Sequence, residues 1–416
     1  MPTAGRPSRC TPRRTPSNWR RSGRWRNSRP GSRQSTPRPG ASSRASTTRS
    51  GRARRPPRCG TRSGNRCRGR VPGVAASGRP GGHVGEELVS GLEESGPDYE
   101  EFSFEPAAGG IRADVFLVTL VVEGTEYEVV VKFKPEGDDR FAVEPRLHEY
   151  VADRMDIPIP RILVFEQEPE ADVPPYFVTE RVRGENLADR YGEMTDDDWD
   201  RVVTQVGTIL GDLHDGIAFE AFGRLMLYDD RITIRNWRGN WREYFGDLTR
   251  GHIDYLDRTP FSGVQSRAGE ALEAGLGTVP EDGVPRLVHD DFQPTNLLCL
   301  LDREEPITAV LDWQDTLAAH PDYQLAQAEF LYIDSTFDDP ETCERLRERL
   351  HDGYRQHREF EPDGSYEACK TVYQLSTLLW RMTGFADAFD EDDLGRARAE
   401  FQYRQQFDRL ANQLLG

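Results

Sequence analysis

The stretch that decides the fold is 286–313, which reads RLVHDDFQPTNLLCLLDREEPITAVLDW. It contains two apolar runs, 297–301 and 307–311, separated by the polar segment 302–306. Two short apolar runs joined by a few polar residues are typical of a β-hairpin with a five-residue loop. We therefore predict a hairpin here, with a polar loop immediately before it.

The open end of this hairpin carries oxygen-bearing side chains. If strand pairing is centred on Glu304, Asn296 lies opposite Asp312. The preceding loop supplies the polar residues 289–291, with the sequence His-Asp-Asp. This arrangement predicts a chelating pair beside further acids, as a metal-dependent transferase requires.

Length and composition indicate a folded protein with a substantial core. A chain of 416 residues with 36% hydrophobic residues is long enough for two or three domains. Its apolar runs are far shorter than the ~18 residues of a membrane span, and no membrane partner is expected. The six cysteines include no CxxC pair, which argues against a zinc site or a disulfide framework and favours a reducing, cytoplasmic compartment.

The net charge of −17 combines two opposite segments. Residues 1–85 contain 22 Arg and no Lys, Asp or Glu, whereas residues 86–416 contain 32 basic and 71 acidic residues and carry −39. Such an excess of carboxylates is typical of proteins kept soluble at very high salt, and we expect a halophilic source. The alternative is an acidic surface made for a cationic ligand.

The basic segment 1–85 consists mainly of Arg, Ser, Pro and Gly. We expect this tail to be disordered, because it has too few apolar residues to form a core. It lacks Lys and has few aromatic residues beyond Trp19 and Trp25, which disfavours a nucleic-acid-binding arm. Translation from an upstream start in a GC-rich gene explains the composition better, with the natural start near Val84.

Residues 86–181 are predicted to form a strand-rich N-terminal lobe. The expected elements are strands at 103–105, 114–122, 126–133, 161–166 and 176–182 and a helix at 144–155. Lys132 ends the third strand and is either a functional cation or an edge-strand Lys facing water. Its candidate partners are Glu144 and Glu149. The turn at Gly109-Gly110 would let backbone N–H groups approach a phosphate, although most paired glycines are merely turns.

Residues 182–416 are predicted to form a mainly helical C-terminal lobe, with the boundary at 181–186. Thr195 is expected to cap a long helix whose apolar face ends at His214, and a packed histidine is more frequent there than a ligand. The aromatic cluster Trp237, Trp241, Tyr244 and Phe245 lines either a pocket or, more frequently, a core.

Three motifs resemble the aminoglycoside phosphotransferase and choline kinase family, relatives of the protein kinases, over roughly residues 99–355. Residues 289–296 (HDDFQPTN) are similar to the family's HGDxxxxN, residues 311–314 (LDWQ) to its IDWE, and residues 320–326 (HPDYQLA) to its GxPxxDLA. Supporting matches are Gly109-Gly110, Val131-Lys132, residues 157–160 (IPIP) and Leu213-His214.

The resemblance implies an α+β, two-lobed protein-kinase-like fold. Its N-lobe has an antiparallel sheet plus one helix, and its C-lobe is mainly α-helical with a catalytic β-hairpin. It also implies a small-molecule kinase that transfers the γ-phosphate of ATP or GTP to a hydroxyl of a small substrate with the help of Mg²⁺. The acceptors of such enzymes include aminoglycosides, choline-like alcohols, sugars, fructosamines and homoserine.

Residue roles follow from the same resemblance. Asp291 would accept or orient the proton of the attacking hydroxyl, and Asn296 and Asp312 would hold Mg²⁺. His289 would hold the catalytic loop in place. The same resemblance predicts the nucleotide-binding residues. Lys132 would contact the α- and β-phosphates, with Glu144 as the partner of its ammonium, and Gly109 and Gly110 would belong to the nucleotide loop. The backbone groups of Glu180 and Val182 would contact adenine.

Three residues depart from the family pattern. Asp290 replaces Gly, Gln314 replaces Glu and Gln324 replaces Asp. The extra carboxylate of Asp290 would raise the pKa of Asp291 by like-charge repulsion or face away into solvent. The two Gln residues would weaken structural support more than the catalytic core.

Other functions compete with that of a small-molecule kinase. The main alternative is a catalytically impaired, kinase-like regulator that binds nucleotide or another ligand. A phosphohydrolase with a metal on His289 and Asp290 would leave Lys132 and Asn296 without a role. A protein kinase is disfavoured because no activation segment follows Asp312. The absence of a GxxxxGK[ST] motif excludes a Walker-type site.

Overall fold

The computed structural model describes residues 101–107, 115–169, 173–389 and 394–416. The predicted tail 1–85 and the Gly109-Gly110 turn lie outside these ranges.

A five-stranded antiparallel sheet forms the first part of the described chain. Its spatial order is β1-β2-β3-β5-β4, built from β1 (Glu101–Pro106), β2 (Val115–Val122), β3 (Thr125–Phe133), β4 (Ile162–Glu166) and β5 (Tyr176–Glu180). Alternate residues of β2 are buried, as the period of two in a half-buried strand requires. Glu123 and Gly124 have φ values of 51° and 68°, and their left-handed backbone closes the β2–β3 hairpin.

Lys132 lies on an interior strand of this sheet. Because β3 pairs with β2 on one side and β5 on the other, the expectation of an edge-strand Lys facing water is wrong. The helix predicted at 144–155 is present as α1 (Val143–Ala152), which begins one residue earlier and ends three residues earlier than predicted. Pro145 occupies its first turn, where a missing N–H breaks no helical hydrogen bond.

The remainder of the described chain is mainly helical. The helices are α2 (Leu187–Arg190), α3 (Asp196–Gly216), α4 (Trp241–Tyr255), α5 (Gln265–Leu276), α6 (Pro321–Ala328), α7 (Pro340–Arg355), α8 (Gly364–Thr383), α9 (Phe385–Ala388) and α10 (Leu394–Leu415). A π-helical segment, Glu329–Asp334, follows α6. None of the helices in the described ranges has the length and apolar character needed to cross a membrane.

Helix α3 has the predicted N-terminal cap. Thr195 accepts a hydrogen bond from the Asp198 N–H, and Asp198 accepts one from the Thr195 N–H, which forms a reciprocal capping box. The helix packs closely on α7, because a Cβ atom added at Gly207 would collide with the backbone of Leu350 and Tyr354. This close packing ties the two helices together through backbone contact.

Two small sheets lie among the helices. The first has the order β11-β10-β6, built from β6 (Glu185–Asn186), β10 (Leu297–Cys299) and β11 (Ile307–Val310). The second has the order β8-β7-β12-β9, built from β7 (Phe222–Tyr228), β8 (Arg231–Arg238), β9 (Arg286–Val288) and β12 (Leu317–Ala319). The sequence did not predict the β7–β8 hairpin.

The aromatic cluster predicted between 219 and 285 belongs mostly to the core. Trp241 and Phe245 are fully buried, and Tyr244 is nearly so. Trp241 also donates a hydrogen bond to the Tyr373 hydroxyl on α8, at 2.9 Å. Trp237, in contrast, is 64% exposed and is not part of this core.

Candidate active site

The predicted hairpin is present, but its register differs by one residue from the expected one. Leu297 pairs with Val310, and the Leu311 N–H donates to the Asn296 carbonyl at 2.8 Å. Asn296 therefore lies opposite Leu311 and not opposite Asp312. The first strand ends at Cys299, two residues sooner than predicted, and the pairing is irregular after Leu298. The connection between the two strands is therefore longer than the predicted five residues, and the pairing is shifted by one residue.

Asp312 comes directly after the second hairpin strand, in a left-handed conformation with φ 63° and ψ 63°. One of its carboxylate oxygens lies 2.9 Å from the Lys132 ammonium. The same ammonium lies 2.7 Å from the buried carboxylate of Glu144 on α1. Of the two candidate partners, Lys132 thus contacts Glu144, while Glu149 pairs with Arg146 at 2.9 Å.

The ammonium of Lys132 is shared by two carboxylates in a largely buried environment. Burial lowers the pKa of Lys132, but attraction to Glu144 and Asp312 outweighs burial and raises that pKa above its ordinary value. Burial raises the pKa of Glu144. Attraction to Lys132 lowers that pKa but does not cancel the effect of burial, and repulsion from the nearby carboxylate of Asp312 raises it further. A permanent cation therefore stands at the junction of β3, α1 and the hairpin.

Asp291 lies beside Asn296 at the beginning of the hairpin. The Asn296 side-chain amide donates to the Asp291 backbone carbonyl at 2.9 Å. The Asp291 Oδ1 atom is buried and has no hydrogen-bond donor within the described ranges. Burial, followed by repulsion from Asp312 and Asp315, raises the pKa of Asp291 well above its usual range. Asp291 is thus a carboxyl with an enhanced affinity for a proton.

Asp290 occupies a position where the backbone favours glycine, with φ of 57°. Asp is among the few side chains that tolerate this left-handed conformation. Its carboxylate is buried and accepts a hydrogen bond from the Tyr323 hydroxyl at 2.9 Å, so the alternative of a solvent-facing Asp290 is wrong. Burial raises the pKa of Asp290 to about 6. Its repulsion of Asp291 is present but ranks behind that of Asp312 and Asp315.

The histidines near the site have structural contacts. His289 is buried, its Nε2 atom lies 2.9 Å from the Leu311 carbonyl, and burial lowers its pKa to about 4. Because His289 is bonded to the hairpin and Asp290 to Tyr323, the two residues do not form a metal-binding pair. His214 is also buried, between the Tyr354 hydroxyl at 2.8 Å and the Gln324 Oε1 atom at 2.9 Å, as expected of a packed histidine.

The segment after β5 contains the residues expected to contact adenine. Glu180 ends β5, and its N–H donates to the Arg161 carbonyl at 3.1 Å. The Glu180 side chain accepts a hydrogen bond from the Arg161 N–H at 3.1 Å. Val182 follows in a partly exposed segment that leads to β6.

One charged group at the site was missed by the sequence predictions. Asp315 accepts hydrogen bonds from Arg140 at 2.5 Å and from Arg224 at 2.7 Å, and both bonds go to the same Oδ1 atom. Arg140 follows β3, and Arg224 lies on β7. Asp315 could have been noticed in the sequence, because it follows Asp312 by three residues. Its pairing with Arg140 and Arg224 could not have been predicted, because these residues lie 175 and 91 positions away.

Comparison with known proteins agrees with this arrangement. A model of the phosphotransferase enzyme family matches residues 103–361, which is more than half of the chain. No curated protein sequence matches.

Solved structures show the same fold at low sequence identity. A candidate fructosamine-3-kinase from Thermobifida fusca is 17% identical, with 80% of this chain and 98% of that chain covered and a TM-score of 0.52. The GDP complex of aminoglycoside 2′-phosphotransferase-IIIa is 15% identical, with coverage of 79% and 98% and a TM-score of 0.52. A choline kinase from Cryptosporidium parvum is 16% identical, with coverage of 79% and 97% and a TM-score of 0.51.

These likenesses confirm the predicted α+β, protein-kinase-like architecture, with an antiparallel N-terminal sheet and a helical C-terminal part. With its family motifs gathered around Lys132 and Asp312, this chain belongs to the phosphotransferase enzyme family.

Proposed function

We propose that this enzyme transfers the γ-phosphate of ATP or GTP to a hydroxyl group of a small molecule. The observation that carries the proposal is the contact of Lys132 with both Glu144 and Asp312, at 2.7 and 2.9 Å. A fixed cation thus lies next to a partly exposed carboxylate, with Asp291 and Asn296 on the adjoining loop. Catalysis of phosphoryl transfer consists largely of such positioning and charge neutralisation.

Lys132 would bind the α- and β-phosphates of the nucleotide. Its carboxylate partner Glu144 lies on α1 and holds the ammonium in place while leaving its charge intact. The backbone of Glu180 and Val182 would contact the base. Gly109 and Gly110, which follow β1 in the sequence and lie outside the described ranges, would approach the phosphates with their backbone N–H groups.

Asn296 and Asp312 fit a magnesium site. The Asn296 amide nitrogen is engaged by the Asp291 carbonyl, which leaves the side-chain oxygen for another partner. Asp312 adds a partly exposed carboxylate, and oxygen donors of this kind suit Mg²⁺. Within the described ranges no group of three or more His, Cys, Asp or Glu side chains could hold a metal ion, and the proposed site has only two protein ligands. When bound, Mg²⁺ would neutralise charge on the nucleotide phosphates.

Asp291 would receive the proton of the acceptor hydroxyl. The acceptor oxygen forms a bond to the γ-phosphorus, the bond from that phosphorus to the β–γ bridging oxygen breaks, and ADP or GDP leaves. The raised pKa of Asp291 suits a group that takes up a proton during this step.

The acceptor is proposed only as a small hydroxylated molecule. The three similar structures are named for fructosamine, aminoglycoside and choline kinases, which supports a small acceptor without selecting one.

The proposal is tested by screening hydroxylated metabolites for stimulated release of ADP or GDP in high salt with Mg²⁺. Mass spectrometry of the acceptor should show one added phosphate, and chelation of Mg²⁺ by EDTA should stop the reaction. Nucleotide binding without phosphorylation of any acceptor would favour the regulator instead.

A further inference from the structure

Asp315 is a charged residue of the site to which the proposed reaction gives no role. It ends the 3₁₀ turn Trp313–Asp315, which directly follows the proposed metal ligand Asp312. Its Oδ1 atom accepts hydrogen bonds from Arg140 at 2.5 Å and from Arg224 at 2.7 Å. All three side chains are partly buried, so water weakens these contacts less than it weakens ion pairs on the open surface.

Arg140 is held in position by its own segment of the chain. It lies in the connection between β3 and α1. Its backbone N–H and its Nε–H donate to the Asp138 Oδ1 atom at 2.8 and 3.1 Å, and its Nη2 atom donates to the second oxygen of Asp138 at 3.3 Å. The next residue, Phe141, is fully buried and anchors the segment in the core. Asp138 therefore orients the guanidinium so that the Nη1 atom donates to Asp315.

Strand β7 holds the same turn from another side. The Leu225 N–H donates to the carbonyl of Thr316 at 3.1 Å, so the backbone of β7 is bonded directly behind the turn. Arg224, one residue earlier on the strand, adds the side-chain bond to Asp315. The turn is thus attached both to the second small sheet and to the segment that precedes α1.

Asp312 depends on such attachments because of its backbone. Its φ and ψ are both 63°, in the left-handed region, which a residue with a side chain occupies only where the surrounding contacts hold it. On one side, the Leu311 N–H donates to the Asn296 carbonyl at 2.8 Å. On the other side, the turn is anchored by the buried Trp313 and by Asp315. The direction of the Asp312 carboxylate therefore depends on how the turn is held.

Two charged contacts join the turn to the same part of the chain. Lys132 on β3 contacts Asp312 at 2.9 Å, and Arg140, in the connection that follows β3, contacts Asp315. A carboxylate that binds a metal ion loses part of its attraction to a neighbouring ammonium, because the metal already satisfies its charge. The contact of Arg140 with Asp315 involves neither proposed metal ligand, so it would still hold the turn when the metal is bound.

We propose that Arg140 and Asp315 are positioning residues: the contact of Asp315 with Arg140 and Arg224 holds Asp312 in the orientation in which it binds Mg²⁺ together with the nucleotide. This inference rests on the proposed function, in which Asp312 is a metal ligand. Residues that orient a metal ligand without touching the metal typically account for about 10- to 100-fold in metal affinity.

The test separates the metal from the nucleotide. Isothermal titration calorimetry measures the dissociation constant of ADP with Mg²⁺ and, in EDTA, without it, and the ratio of the two constants is the gain in affinity due to the metal. We expect Arg140→Gln to lower this gain roughly 10-fold and to change the affinity for ADP in EDTA less than about threefold. An unchanged gain would overturn the inference. So would an equal loss of affinity with and without Mg²⁺, which indicates a general weakening of the fold.

Two further variants address the contact itself. Asp315→Ala removes it from the other side and should lower the gain at least as much as Arg140→Gln. The double variant should match Asp315→Ala alone, because both substitutions remove one contact. Independent effects that multiply in the double variant would show that the two residues do not act through each other, and would overturn the inference.

A conservative substitution should rescue the gain. Only the Nη1 atom of Arg140 donates to Asp315, so the ammonium of Arg140→Lys can take its place. We expect Arg140→Lys to retain the gain to within about threefold of the wild type, because a charge-assisted hydrogen bond is preserved. A gain as low as that of Arg140→Gln would contradict the role of the ion pair.

Arg146→Gln is the matched control. Arg146 also links α1 to the β7–β8 hairpin, through Asp230 in the hairpin turn at 2.7 Å. The variant should keep the wild-type gain, since this link leaves Asp315 and its two arginines in place. A loss equal to that of Arg140→Gln would mean that any weakening between α1 and the hairpin affects the metal, and would overturn the inference.

Other outcomes separate the inference from the proposed function. Binding of ADP by the wild type that does not depend on Mg²⁺ would contradict both the metal site and the positioning role. A gain that falls as expected, with no phosphorylation of any acceptor, would contradict the kinase assignment and leave the positioning role standing. Phosphorylation of an acceptor by the wild type, with the full gain retained in Arg140→Gln, would leave the kinase assignment in place and overturn the inference.

Discussion

The Lys132 ammonium lies 2.9 Å from the carboxylate of Asp312, a residue 180 positions later in the chain. This contact joins the interior strand β3 of the first sheet to the end of the β10–β11 hairpin. Glu144 holds the same ammonium from α1 at 2.7 Å. The three side chains form a charged junction on which the proposed nucleotide and metal sites depend.

Replacement of Asp291 by Ala should slow phosphate transfer strongly and preserve nucleotide binding. Nucleotide binding should persist because the ion pairs of Lys132 are with Glu144 and Asp312, and not with Asp291. Transfer should slow because general-base assistance typically accounts for about 10²- to 10⁴-fold in rate. We expect kcat to fall by a factor in that range and the dissociation constant of Mg-ATP to change less than about threefold. Single-turnover kinetics and calorimetry measure the two quantities. Wild-type turnover in Asp291→Ala would exclude it as the catalytic base.

Replacement of Asp312 by Ala should impair both binding and transfer. The change removes a proposed Mg²⁺ ligand and one of the two acids at Lys132. We expect Mg²⁺-dependent nucleotide binding to become undetectable in calorimetry, with turnover lost as well. Asp302→Ala, in the exposed loop of the hairpin, is a suitable control because that residue lies at the far end. Normal Mg-ATP affinity in Asp312→Ala would contradict its role in holding the metal.

The two acids of helix α1 should differ sharply in their effect on nucleotide binding. Glu144→Gln removes the buried partner of Lys132, and we expect Mg-ATP affinity to fall about 10- to 100-fold, as for loss of a charge-assisted hydrogen bond. Glu149→Gln removes only an exposed pair with Arg146 and should leave the affinity unchanged. Equal effects of the two substitutions would show that the Lys132–Glu144 contact is not used in binding.

Helix packing makes a prediction for thermal stability. Gly207→Ala places a methyl group against the backbone of α7, which cannot yield as a flexible side chain can, and should cost about 1–3 kcal/mol or more. Gly251→Ala, on α4 with open space around it, should be neutral or stabilise the helix by up to about 1 kcal/mol. Calorimetric melting temperatures compare the two variants. A Tm for Gly207→Ala equal to that of the wild type would refute the close α3–α7 contact.

The buried carboxylate of Glu329 predicts a dependence of stability on pH. It lies 2.8 Å from the His351 Nε2 atom, 2.9 Å from Arg347 and 2.6 Å from the Tyr366 hydroxyl. Burial raises the pKa of Glu329, but the hydrogen bond to His351 and the attraction of Lys370 outweigh burial and lower it to about 2.

Because the pKa of Glu329 is lower in the folded protein than the ~4.3 of an unfolded chain, the charged form stabilises the fold. That contribution is complete above about pH 4.3 and disappears as the pH falls to about 2; it amounts to about 3 kcal/mol at neutral pH. The difference in unfolding free energy between wild type and Glu329→Gln should therefore narrow from pH 5 toward pH 2. Urea denaturation measures it, with Glu367→Gln as an exposed control. A constant difference over this range would refute the prediction.

Local patterns predicted much of the architecture. The alternation of β2, the cap of α3 and the two apolar runs of the β10–β11 hairpin each involve residues a few positions apart, so the sequence alone displays them. The β7–β8 hairpin escaped prediction because its turn is Asp229-Asp230. Both residues have positive φ, yet neither is the Gly or Asn that usually marks such a turn.

By itself, the sequence determined the family motifs, the order of the strands and the helix from β1 to β5, and the residues that bear the proposed chemistry, because these depend on side-chain type and short-range spacing. Only the tertiary structure decided that Lys132 contacts Glu144 instead of Glu149, and that Asp290 turns its carboxylate inward to Tyr323. It also decided that one oxygen of Asp315 accepts hydrogen bonds from both Arg140 and Arg224. Such contacts depend on strand register and on packing between distant segments, which the spacing of residues along the chain does not specify.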